Sequence, residues 1–110
     1  MAVHPLDAMQ SAPDHHDVLY ENEKVRILDT RLAADDRTPV HAHEWPAALY
    51  VLSWSDFIRR DDQGNILADS RGKPAPAAGE ALWIEPLPPH YVENVGSSDL
   101  HIIAVEVKSS

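Results

Sequence analysis

Cysteine is absent from this 110-residue chain. That excludes a disulfide scaffold, a thiolate nucleophile and any zinc site built on sulfur. Glycine is scarce, four in all, too few for a loop of successive backbone amides that cradles a phosphate. Basic residues are outnumbered: nine Lys and Arg stand against eighteen Asp and Glu, a formal charge of −9 and a pI near 5.0. With no basic run, that balance argues against nucleic-acid binding, which depends on neutralising phosphates. No apolar run approaches the roughly 18 residues that span a bilayer as a helix. The first residues also lack the basic segment and apolar stretch of a secretory signal. The expectation is an acidic, cytoplasmic domain that meets neither nucleic acid nor membrane, of a length that suits a single core.

Helical periodicity is missing as well. Apart from a short turn around residues 6–10, no stretch of a dozen residues repeats its apolar positions at helical spacing. Residues 1–16 hold two prolines and scattered charges, and read as a flexible or loosely draped arm. From Val18 onward, short apolar stretches are broken by turn residues at roughly eight-to-twelve-residue intervals, the pattern of an all-β sandwich or barrel. Strands are expected over residues 24–32, 38–43, 48–52, 57–60, 66–68, 81–85, 91–95 and 100–107. Residues 61–65 and 96–99 close hairpins. Three prolines, Pro86, Pro88 and Pro89, are expected to end the strand over 81–85. The barrel then occupies residues 17–110.

The chemistry in this chain lies in its histidines. His41-Ala42-His43 places two imidazoles at i and i+2, on one face of a strand. A third, His90, follows the proline-rich turn and can come from a neighbouring strand. Three imidazoles that meet would bind a transition metal and leave coordination positions open. The competing reading is that they are hydrogen-bonded pocket residues without a metal. His4, His15 and His16 fall in the arm and read as solvated, and His101 lies in the last strand with its facing open.

In combination these residues resemble the cupin superfamily, specifically its small single-domain members. One motif of that family is His-x-His, a Glu three or four residues later, then an apolar strand. His41, His43 and residues 48–52 match it, while the Glu position falls on Ala47 or Ala48. The other runs from Gly to Pro, then to His and, four residues on, Asn. Gly79, Pro86, His90 and Asn94 match it, with Pro88 where Gly is usual and one residue fewer before the histidine. The likeness covers residues 20–107.

The resemblance implies a double-stranded β-helix (jelly-roll) barrel with His41, His43 and His90 as ligands of a divalent transition metal. Fe, Zn, Ni, Mn, Co and Cu all suit such donors, which discriminate weakly among them. Without the Glu, three histidines remain, with Ala47 against the metal. Glu44 replaces the Glu only if Trp45-Pro46 breaks strand parity. Asn94 is expected to hydrogen-bond a turn backbone. Tyr50, Trp83 and Tyr91 are the expected contacts to a small-molecule ligand, although strand aromatics more often pack in cores. Tyr50, Tyr91 and Glu85 are the candidate acids or bases. Two functions stay open: a metal-dependent enzyme of dioxygenase, isomerase or lyase type, or a module that binds or senses a small molecule or metal. A homodimer is expected, because small cupins commonly pair and a barrel of this size has edge strands to cover.

Overall fold

The structure, a computed structural model, describes residues 7–108; His4 lies outside them. Period-two alternation builds nearly all of it. In β2 (Val25–Leu32), Arg26, Leu28 and Leu32 are buried, whereas Asp29 and Arg31 stand on the other face. In β9 (Leu100–Val107), Ile102, Ala104 and Glu106 are buried on the same principle. The other strands are β1 (His16–Glu21), β3 (His41–His43), β4 (Ala47–Ser53), β5 (Phe57–Asp61), β6 (Ile66–Asp69), β7 (Ala81–Ile84) and β8 (Leu87–Asn94). A one-turn helix, α1 (Ala8–Ser11), and a 3-10 turn (Pro13–His15) precede them.

The strands form two antiparallel sheets. One has the order β1-β2-β9-β4-β7, the other β3-β8-β5-β6. Their inner faces enclose a core that includes Leu28, Leu32, Val51 and Ile102. This is the all-β architecture expected from the turn spacing, in the double-stranded β-helix form that the resemblance implies.

Two segments depart from expectation. Pro88 and Pro89 do not close a strand; they lie inside β8. They are tolerated because β5 pairs only with His90 to Asn94 of β8, and the pairing with β3 shifts register between His41↔His90 and His43↔Leu87. Neither proline therefore has to donate to a regular ladder. The second departure is at the start of the chain. Residues 7–16 are packed onto the barrel: Ala12 is fully buried, Asp7 bridges to Ala42, and His16 begins β1 by pairing with Thr30.

Asn94 fastens the end of β8, in the structural role expected of it. Its Nδ2 donates to the carbonyls of Leu32 and Ser98, and its Oδ1 accepts from Ser55 Oγ and the Gly96 amide. A Cβ on Gly96 would stand 2.0 Å from Ser55 Oγ, so the turn can close only over glycine. Asn94→Ala would strand these buried groups together. It is expected to cost about 3 kcal/mol in urea unfolding; a change under about 0.5 kcal/mol would refute that role for Asn94.

Candidate metal centre

β3 and β8 are hydrogen-bonded neighbours, and their register sets His41 opposite His90. The ring centroids of those two lie 4.4 Å apart, with His41–His43 at 5.1 Å and His43–His90 at 5.6 Å. The three histidines singled out in the sequence are thus brought together. A fourth joins them. His16 is 5.1 Å from His41 and 5.5 Å from His43 by ring centroid, and is buried rather than solvated. His16, His41 and His43 bring one potential ligand atom each to within 4.8 Å of one another, and His90, expected as the third ligand, is not in that group.

The hydrogen bonds of these rings share one pattern. Nδ1 of His41 meets the Pro39 carbonyl at 2.9 Å, Nδ1 of His90 the Pro88 carbonyl at 2.7 Å, and Nδ1 of His16 the Ala12 carbonyl at 2.9 Å. Nδ1 of His43 meets Glu106 Oε2 at 3.2 Å. A carbonyl only accepts, so a neutral ring facing one must carry its proton on Nδ1. The lone pair is then on Nε2, the atom a metal would use. Such an acceptor behind each ring is what orients histidine ligands in metal sites.

Burial keeps His16, His41 and His90 neutral. It pulls His41 down to about 2, and His16 and His90 to about 4, against the lesser opposing effect of their carbonyl partners. Neutral imidazole is the ligand form, so burial prepares the donors.

Ala47, at the usual Glu position, is buried on the cavity wall, and Glu44 is exposed. The carboxylate nearest in register comes from another strand, because Ala47 pairs with Glu106. Glu106 is almost wholly buried and accepts from Arg26 Nε at 2.6 Å as well as facing His43. Arg26 in turn clamps Asp7 through two bonds of 2.8 and 3.0 Å. Burial works against the charge on Glu106, but His43 and Arg26 outweigh it and hold the carboxyl below its ordinary range. Asp7 is likewise lowered, burial being overcome by Arg26.

The histidines open into a cavity of about 240 Å³ between the sheets. Leu49, Leu82, Ile84, Leu100 and Ile102 give it apolar walls. Of the three expected ligand contacts, Trp83 borders it. Tyr50 and Tyr91 stand on the opposite faces of their strands, since their neighbours Leu49 and His90 take the inward positions. His101 is also on an outer face, where Nε2 meets Asp29 at 2.7 Å.

Similar architecture occurs in solved structures. A cupin domain from Bordetella pertussis Tohama I matches with a TM-score of 0.68 at 16% identity, over 86% of this chain and 92% of that one. An RmlC-like cupin from Methanocaldococcus jannaschii matches with a TM-score of 0.58 at 14% identity, over 84% and 77%. A predicted oxalate decarboxylase from Thermotoga maritima matches with a TM-score of 0.52 at 20% identity, over 86% and 79%. No family model and no curated relative matches the chain. The protein is a barrel of the cupin fold. No described helix is long and apolar enough to cross a membrane.

The cluster makes stability depend on pH in a definite direction. His16, His41 and His90 have folded-state values below the ordinary 6.5, so the unfolded chain takes up protons first as pH falls. Their contribution is whole above about pH 6.5 and is lost as pH drops through the window down to the folded values. The lowered carboxyls of Asp7 and Glu106 add a loss of the same sign at lower pH. For metal-free protein the thermal midpoint at pH 5 is expected about 10 °C below that at pH 7. A midpoint that stays level or rises over that range would contradict the buried, neutral cluster.

Proposed function

We propose that the barrel holds a divalent transition metal on Nε2 of its clustered histidines and takes a small organic molecule in the adjoining cavity. The observation that carries this reading is the acceptor behind every ring. Four imidazoles, three buried and that of His43 half-buried, have Nδ1 engaged and direct their lone pairs away from those acceptors. His41, His43 and His90 would be ligands as the motif implies, and His16 offers a fourth donor in place of the missing glutamate. Such an ion, when bound, polarises a coordinated oxygen or activates water.

The rest of the work falls to the chain. Glu106 keeps the His43 proton on Nδ1, and Arg26 keeps Glu106 charged. The apolar walls restrict water. Tyr50, Tyr91 and Glu85 do not line the cavity, so no candidate acid or base from the sequence reaches the histidines. That observation favours, as the second reading, a module that binds its ligand without turnover.

Elemental analysis of protein purified without a His-tag tests the proposal. About one equivalent of a single divalent metal is expected. His41→Ala and His43→Ala should reduce it to trace levels while circular dichroism keeps its β spectrum, because core packing rather than metal holds the barrel. His16→Ala should weaken the metal by more than about tenfold, the loss of one donor. Wild-type protein that retains no metal after growth and dialysis with zinc, iron, nickel, manganese, cobalt or copper would refute the reading.

A further inference from the structure

One half-buried arginine on the cavity wall has no acid partner among the described residues. Arg59 lies on β5 two residues from Phe57, and both line the cavity. Its guanidinium sits over the Phe57 ring, 5.4 Å from the centroid. Its Nε is buried without a hydrogen-bond partner, and no carboxylate among the described residues pairs with it. The neighbouring arginines show how unusual that is. Arg60, next in sequence, donates to Glu93 at 2.6 Å on the other face, Arg71 pairs with Asp69, and Arg26 is held by both Asp7 and Glu106. Glu106, the acid on the cavity wall, already has its two oxygens taken by Arg26 and His43.

A buried guanidinium N–H without an acceptor is costly unless something answers it. Burial does push the Arg59 pKa down, but arginine starts so high that the group stays charged. No acid of the described residues answers it, which leaves the place open to an anion from outside the chain. The register places Arg59 opposite Val92, two residues along β8 from His90, so a molecule bound to it would lie beside the histidines.

We infer that the small molecule taken by this cavity is a carboxylic acid, its carboxylate held by Arg59 and its body against the apolar walls next to the histidine cluster. This deepens the metal-site reading by naming the ligand class, and it rests on that reading for the cavity being a ligand site. Several features select this class. A single planar guanidinium matches the two oxygens of a carboxylate. A phosphate, with more charge and more acceptors, is matched less well by one guanidinium. The volume of about 240 Å³ equals roughly eight water molecules at 30 Å³ each, which suits a short-chain acid. Leu49, Leu82, Ile84 and Leu100 favour a body with few further polar groups.

Calorimetric titration of the full-length protein, as purified and after chelator treatment, tests this with lactate and pyruvate against lactamide and pyruvamide. The amides keep the shape and lose the charge. Wild-type protein is expected to bind the acids at least about tenfold more tightly than their amides in both preparations. Arg59→Met should abolish that preference, leave the metal content unchanged, and melt no lower than wild type when unliganded, because it removes an unanswered charge. Only wild type should gain thermal stability from lactate. Wild-type protein that binds none of the acids, or does not prefer them to the amides, would overturn the inference, with no variant required. An acid preference that survives Arg59→Met would overturn it equally. The two proposals fail separately. Metal-free wild type with an Arg59-dependent acid preference defeats the metal reading alone, and metal-loaded protein without the preference defeats this one alone.

Discussion

The histidine site depends on Arg26. Its guanidinium is buried between Asp7, in the segment ahead of the first strand, and Glu106, near the end of the last. Burial works against its charge, but the two carboxylates outweigh that and raise its pKa. The Trp45 ring closes one side, 5.0 Å away. Removing one member of such a buried set leaves charge uncompensated and typically costs about 3–5 kcal/mol. The contact therefore holds residues 7–16 against the barrel and sets the Glu106 carboxylate behind His43. One of these actions brings in His16, and the other orients His43.

From that contact follows the character of the cavity. Three of the four imidazoles rest on backbone carbonyls, two of them the carbonyls of Pro39 and Pro88, each two residues before the histidine it orients. The extended backbone around the prolines thus aims the rings as well as delivering them. The fourth ring rests on a carboxylate that strand parity turns inward. Ala47 brings no donor to the cavity wall, and Glu106, its cross-strand neighbour, supports the His43 ring from behind. The cavity next to these rings has largely apolar walls, with Arg59 on the β5 side.

Much of this was legible in the sequence, and the rest was hidden for definite reasons. Period-two alternation located β2, β4 and β9 to within a residue or two, and the His-x-His spacing identified His41 and His43 as sharing a face. Asn94 was recognisable from its place after His90. β8 was cut short because prolines read as breakers, whereas sheet register decides whether a proline is tolerated. His16 was read as solvated because its partners are the Ala12 carbonyl and rings some 25 residues and more along the chain, and no local periodicity reports such contacts. Glu106 and Arg26 did leave a signal. Each is a charged residue at an inward position of an otherwise apolar alternation, Glu106 in step with Ile102 and Ala104, Arg26 with Leu28. Arg59 left none, since two adjacent arginines next to a hairpin turn look alike in sequence and only the structure shows that Nε of one is buried without an acceptor.

The central claim is that acceptors behind the rings fix four imidazoles as Nδ1–H tautomers with Nε2 free for a metal. Long-range proton–nitrogen correlation spectra of uniformly ¹⁵N-labelled, metal-free protein near neutral pH observe this directly. Four histidines should show a protonated Nδ1 and an unprotonated Nε2, and stoichiometric zinc should move the Nε2 signals of His41, His43 and His90, with His16 following if it is the fourth donor. Rings protonated on Nε2, or Nε2 signals that ignore zinc, would contradict the account.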